Sequence, residues 1–75
     1  MDQIKLYTKK RCPYCASEKI WLTQKNYQFE EISLDDAEIL KAFIEKNPRL
    51  RTVPQIFVGE ESIGGFTDLI KSKLA

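Results

Sequence analysis

Ile4-Lys5-Leu6-Tyr7-Thr8-Lys9-Lys10-Arg11-Cys12-Pro13-Tyr14-Cys15 contains an apolar run, three cations and then the only two cysteines of the chain. A Cys-x-x-Cys pair that follows a strand-like run and opens a helix-like segment points to thiol–disulfide chemistry. Two thiols three residues apart across a helix start can close a small disulfide and reopen it. Lys9, Lys10 and Arg11 favour the thiolate of the first cysteine, which is the nucleophilic form. Pro13 suits the first position of a helix, where its missing N–H costs nothing. Cys12 then falls at the N-cap, with its sulfur facing the unpaired N–H groups of Tyr14 and Cys15 and the positive end of the helix dipole. Cys15, one turn further in, meets less of that field. Cys12 is therefore assigned as the attacking sulfur and Cys15 as the resolving one. The competing interpretations are half of a zinc site and an inert pair. Zinc takes about four ligands, and the chain has no histidine and no third cysteine.

Working outward, Gln3 to Thr8 reads as a first strand, and the helix behind Cys12 should run to about Lys25. Ala16, Ile20, Trp21 and Leu22 are expected on its apolar side, and Asn26 suits a left-handed exit. Gln28 to Ser33 alternates into a second strand. Asp35 or Asp36 then caps a second helix, with Glu38 three residues after Asp35 as in a capping box. Leu40, Phe43 and Ile44 share one face of that helix, and Asn47-Pro48 ends it. Pro54 to Val58 is a third strand, Gly59-Glu60-Glu61 a turn and Ser62-Ile63 a short fourth strand. Gly64-Gly65 breaks the chain before a last helix, Phe66 to Leu74, with Phe66, Leu69, Ile70 and Leu74 inward. The expected order is β-α-β-α-β-β-α, in an α/β chain without linker, repeat or low-complexity segment.

Composition narrows the function classes. Seventy-five residues are enough for one core, so residues 1–75 are expected to form a single domain. Twelve basic residues against eleven acidic give a net charge of +1, too little for a bulk pull on nucleic acid or a membrane surface. No apolar stretch approaches the roughly 20 residues of a membrane span. The start Met1-Asp2-Gln3-Ile4-Lys5 lacks the charged-then-apolar pattern of a signal peptide, so a cytoplasmic setting is expected. There a Cys-x-x-Cys pair is more often catalytic or metal-binding than a structural staple.

Three segments carry a family likeness. Cys12-Pro13-Tyr14-Cys15 after Tyr7-Thr8-Lys9, then Thr52-Val53-Pro54-Gln55-Ile56-Phe57, then Ile63-Gly64-Gly65-Phe66-Thr67-Asp68-Leu69, together resemble a small bacterial-type dithiol glutaredoxin. The likeness covers nearly the whole chain, and the three motifs in order are far more specific than the tetrapeptide alone. The resemblance implies a minimal thioredoxin fold, a four-stranded mixed sheet with three helices. It implies a glutathione-dependent disulfide oxidoreductase that acts on protein disulfides and glutathionylated proteins, with ribonucleotide reductase among the enzymes such a protein serves. Glutathione is then a co-substrate, no cofactor is held permanently, no metal is bound, and the protein is a monomer.

The resemblance also assigns binding residues. Lys9 corresponds to a family lysine near the glycine carboxylate of glutathione. Thr52, Val53 and Pro54 correspond to a turn whose proline is cis, where the Val53 backbone pairs with the cysteine of glutathione. Gly65, Phe66, Thr67 and Asp68 correspond to the γ-glutamyl site, with amides for the carboxylate and Asp68 for the ammonium. Tyr14 either lines this groove or packs over the helix start; Arg49 and Arg51 flank the groove, and the sequence assigns neither a role. Without the resemblance, Lys9 is a loop lysine, Pro54 a trans strand-starter, Asp68 a first-turn acid and Gly64-Gly65 a turn. Trp21 reads as helix packing, Glu30-Glu31 as a solvated edge, and Asp35-Asp36 as a cap. Two other readings remain. One is a redoxin that draws electrons from thioredoxin reductase, and the other is a module that bridges an iron–sulfur centre between two copies.

Overall fold

Burial alternates strictly along the inner strand β1, Ile4–Thr8, with Ile4, Leu6 and Thr8 buried and Lys5 and Tyr7 half-buried between them. The computed structural model describes residues 3–75. Met1 and Asp2, which belong to the expected absence of a signal peptide, lie outside the described residues. The remaining elements are α1 (Pro13–Gln24), β2 (Phe29–Ser33), α2 (Ala37–Lys46), β3 (Gln55–Val58), β4 (Glu61–Gly64) and α3 (Phe66–Ile70). The order expected from the sequence is the order found. The sheet runs β2-β1-β3-β4, with β1 parallel to β2 and antiparallel to β3, and β3 antiparallel to β4. This is the mixed sheet of a thioredoxin-like fold.

The two sheet faces bury different cores. Ile4 lies opposite Val58 and Leu6 opposite Ile56, and with Leu22, Leu69 and Leu74 they form the cluster beneath α1 and α3. On the other face Tyr7 meets Phe43 of α2 at 4.6 Å and Phe57 at 5.6 Å between ring centroids. Such tilted and edge-to-face contacts are favourable aromatic geometries.

The helix ends follow local chemistry. Asn26 adopts φ 63, and the amides of Asn26 and Tyr27 return to the carbonyls of Thr23 and Leu22, which closes α1 in a Schellman motif. Asp36 rather than Asp35 caps α2, accepting from the amides of Glu38 and Ile39. Glu38 is then the second helical residue and no Asp35–Glu38 box forms. Asp35 is held elsewhere, by the Lys10 amide at 2.9 Å and the Ser33 hydroxyl.

Two expectations about inward faces are corrected. On α1 the buried residues are Cys15, Glu18 and Leu22, while Ala16 is exposed and Ile20 is 59% exposed. The helix starts with Cys15 inward, and steps of three and four residues from there pass through Glu18 and miss Ile20. At the C-terminus α3 stops at Ile70 instead of reaching Leu74. The Ser72 hydroxyl donates to the Leu69 carbonyl at 2.6 Å and accepts from the Leu74 amide, which replaces the next helical turn. Leu74 is buried by this turn, its carbonyl held by the Tyr27 hydroxyl at 2.9 Å. Ile70 is left 44% exposed.

The revised face of α3 is testable by urea unfolding. Leu69, fully buried, should cost about 2–5 kcal/mol when replaced by Ala. Ile70→Ala should cost less than about 1 kcal/mol. Equal losses would contradict the shortened helix.

Candidate active site

Cys12 occupies the N-cap of α1 in an extended conformation, and Pro13 is the first helical residue. Its Sγ accepts from the Cys15 amide at 3.1 Å, so one of the orphan donors of the helix start is satisfied by sulfur. Cys12 and Cys15 form a disulfide with their Cα atoms 5.2 Å apart, a spacing typical of such bridges. Cys12 is half-exposed, whereas Cys15 is 3% exposed. One sulfur can be approached from solvent and the other is shielded. The loop before Cys12 turns through Arg11 at φ 58, an uncommon conformation for a side chain of this size. The Lys10–Asp35 bond ties this loop to the start of α2. Nothing in the sequence pattern singles out Asp35 for that role.

Residues far apart in sequence meet beside this sulfur. A cavity of about 330 Å³ is lined by Lys9, Arg11, Cys12, Cys15, Lys19 and Asp35 among others. On the other side of Lys9, a second cavity of about 210 Å³ is lined by Lys9, Arg51, Thr52 and Val53 over an apolar floor from Leu40, Phe43 and Leu50. Arg51 thus borders the turn, and Arg49 is not part of that lining. The Val53–Pro54 bond is cis. A side chain at Gly65 would reach the Pro54 carbonyl at 3.5 Å, so the turn and the start of α3 are neighbours. Tyr14, 64% exposed, packs its ring 6.2 Å from that of Phe66 and links the start of α1 to that of α3. It does pack over the helix start, and remains open to a ligand.

Asp68 does more than the sequence suggested. Its Oδ2 accepts from the Gly65 amide at 3.0 Å, so it caps α3. At Gly64, φ is 109 and a side chain would collide with the Asp68 carboxylate; only glycine fits there. Because α3 has five residues, its dipole is weak, and the Asp68 carboxylate carries most of the local charge. Trp21 is helix packing, stacked on Tyr27 with Lys25 Nζ 5.3 Å from its ring. Glu31 is engaged at the edge by the Thr8 hydroxyl at 2.8 Å and by Lys19.

Glu18 is the residue that sequence reading missed. It is fully buried one turn after Cys15, and neither carboxylate oxygen has a hydrogen-bond partner among the described residues. Its pKa is pushed up to about 7, first by burial and then by the Asp68 charge. An acid between Ser17 and Lys19 reads as surface, and only the phase set by Cys15 reveals otherwise.

Comparison with known proteins agrees with this arrangement. The family model described as Glutaredoxin matches residues 4–63. Glutaredoxin 3 of Escherichia coli (strain K12) is 38% identical over 69 residues, covering 92% of this chain and 83% of that protein. Among solved structures, glutaredoxin 1 of Francisella tularensis, crystallised with cacodylate, superposes with a TM-score of 0.77 at 36% identity. It covers 95% of this chain and 91% of that one. A buckwheat glutaredoxin–glutathione complex superposes at 0.77 with 27% identity, covering 93% and 66%.

Glu18 gives a signed pH prediction. An acid whose pKa rises from 4.5 to about 7 on folding binds more protons in the native state between those values. Stability contributed by the protonated form is therefore complete below pH 4.5 and lost as pH rises through 7, by about 3 kcal/mol. Glu18→Leu, which fills similar volume without charge, should remove this loss and unfold at higher urea than the parent at pH 8. An unchanged pH slope would show that Glu18 ionises freely.

Proposed function

The chain belongs to the glutaredoxin family, a family of thiol–disulfide oxidoreductases, and we propose that it works with glutathione as electron donor. What carries this reading is the meeting of three separated motifs at one edge. Lys9 borders both the cavity beside the half-exposed Cys12 and the cavity lined by Thr52 and Val53, and the start of α3 adjoins Pro54 through Gly65 and Tyr14 through Phe66. An extended tripeptide with a charged group at each end suits a surface built this way. Lys9, with Arg51 beside it, would hold the glycine carboxylate. Val53 would pair its backbone with the central cysteine. The amides of Phe66, Thr67 and Asp68 and the second oxygen of the Asp68 carboxylate would take the γ-glutamyl end, and Tyr14 would cover it. The glutathione-bound buckwheat structure supports this choice of ligand.

The chemistry follows from the exposure of the two sulfurs. A glutathione thiolate attacks Cys12 Sγ, the Cys12–Cys15 bond breaks, and Cys15 leaves as a thiolate. A second glutathione thiolate attacks the glutathione sulfur of this mixed disulfide, releasing glutathione disulfide and the Cys12 thiolate. Reduced Cys12 then attacks a target disulfide or a glutathionylated protein, and Cys15 resolves the intermediate where the substrate requires a dithiol. The helix N-terminus and the cations of residues 9–11 stabilise the Cys12 thiolate throughout. The protein substrates would include enzymes such as ribonucleotide reductase. The working form is a cytoplasmic monomer, one domain over residues 1–75, with no permanent cofactor.

Cys12→Ser should abolish disulfide reduction, because no other residue offers sulfur at the helix cap. Cys15→Ser should retain much of its activity toward glutathione mixed disulfides and lose activity toward dithiol-requiring substrates. Equal loss in both variants on a glutathionylated peptide would overturn these roles.

Asp68 needs a gentler change than alanine, because alanine also uncaps Gly65. Asp68→Asn keeps an acceptor for that amide and removes the charge. It should raise the apparent KM for glutathione several-fold, since a partly exposed ion pair is worth about 1 kcal/mol. Turnover with a small dithiol reductant should barely change. An unchanged KM would instead favour the thioredoxin-reductase-linked reading, which a coupled assay with that reductase then decides.

A further inference from the structure

The thiol chemistry above leaves one buried ionisable side chain without a task. Cys15 and Glu18 share the inward face of α1 three residues apart, a spacing that brings Cβ atoms to about 5–6 Å. Helical side chains lean toward the N-terminus, which directs the Glu18 side chain toward the turn that holds Cys15. Its electrostatic coupling to Asp68, in the first turn of α3, points to the same end of the helix. Neither oxygen is engaged by another group among the described residues. A protonated carboxyl here has an O–H free to give, and a carboxylate has lone pairs free to accept.

We propose that Glu18 is the proton donor and acceptor for Cys15 in the dithiol cycle. The proposal rests on Cys12 being the attacked sulfur. When a thiolate forms its bond to Cys12 Sγ, the Cys12–Cys15 bond breaks and its electron pair goes to Cys15 Sγ. That sulfur is 3% exposed, and a buried anion beside a second negative charge is unfavourable. The Glu18 carboxyl passes its proton to Cys15 Sγ and is left as the carboxylate, which regains a proton from solvent between turnovers. In the opposite direction the carboxylate takes the Cys15 proton, and the freed thiolate attacks the mixed disulfide on Cys12. No oxidant or reductant beyond the two thiol partners is needed.

The groups that bear on Glu18 make this a matter of pH. Asp68 faces it from α3, and Cys15 from its own helix. The sheet face below presents Ile4, Leu6 and Thr8 from β1, Ile56 and Val58 from β3, and the half-buried Ile63 from β4, none of which ionises. Among the described residues Asp68 is the charge that adds to the effect of burial, and Glu18 changes from neutral to charged near neutral pH.

The test is single-turnover reduction of the Cys12–Cys15 disulfide by dithiothreitol, which makes no use of the glutathione groove. Acid-quenched samples are counted for free thiols, and each rate is divided by the dithiothreitol thiolate concentration at that pH. The full-length parent should lose about ten-fold in this corrected rate from pH 6 to 8.5, with an inflection near neutrality, as the proton donor becomes a repelling charge. Glu18→Gln and Glu18→Leu should give flat profiles and be slower than the parent at pH 6. The leucine variant, predicted above to be the more stable protein at pH 8, keeps the test open if glutamine disturbs folding. A flat profile in the parent, or an inflection that survives in both variants, would overturn the proposal. Failure here would leave the glutathione reading untouched, because Asp68→Asn tests that with a different reductant.

Discussion

The hydrogen bond from the Cys15 amide to Cys12 Sγ, 3.1 Å long, sets both where α1 begins and which way it faces. With Cys12 as cap and Pro13 as first residue, the twelve-residue helix presents its unpaired N–H groups to one sulfur. Cys15, Glu18 and Leu22 then turn inward. Leu22 joins Leu6, Ile56 and Leu69 in the core, so the packing that stabilises the sheet also fixes the cysteine at its end. The field that favours a thiolate is therefore built into the fold: moving the sulfur off the cap would require rotating the helix out of its core.

That construction brings a conflict. The same phase that seats Cys12 carries a carboxyl into an apolar layer, with no donor to satisfy it among the described residues. Burial and the Asp68 charge both oppose its ionisation. A core of ordinary design would hold an aliphatic residue there. Asp68 adds to the tension by holding the Gly65 amide with a carboxylate that would collide with any side chain at Gly64, which restricts that position to glycine. Departures from local rules that gather at one edge of a small domain are characteristic of a working site.

Much of this was legible in the chain and some was hidden for definable reasons. The order of elements follows from alternation, from Pro13 and Pro48, and from the glycines at 59, 64 and 65. The place of Cys12 at the cap follows from helix-cap chemistry alone. The proposed groove at Lys9, Thr52–Pro54 and Gly65–Asp68 rests on family likeness, because no periodicity links three segments so far apart. Hydrophobicity misled at Ile20 and Ile70, where apolar residues close in sequence to buried ones sit on the wet side, and at Glu18, where an acid sits on the dry side. Asp36 displaced Asp35 at the cap because Asp35 is engaged by the Lys10 amide, a contact between residues 25 apart in sequence. The early end of α3 depended on a single hydroxyl, Ser72.

The account stands or falls on whether glutathione linked to Cys12 lies in the groove formed by the other two motifs. The direct measurement is heteronuclear NMR on Cys15→Ser protein oxidised with glutathione disulfide to a single adduct. The geometry predicts intermolecular Overhauser contacts from the tripeptide to Val53 and to Thr67 and Asp68, with the largest amide shifts at those residues and at Lys9. A stable adduct on Cys12 whose tripeptide shows no contact with Val53 or Asp68 would contradict it.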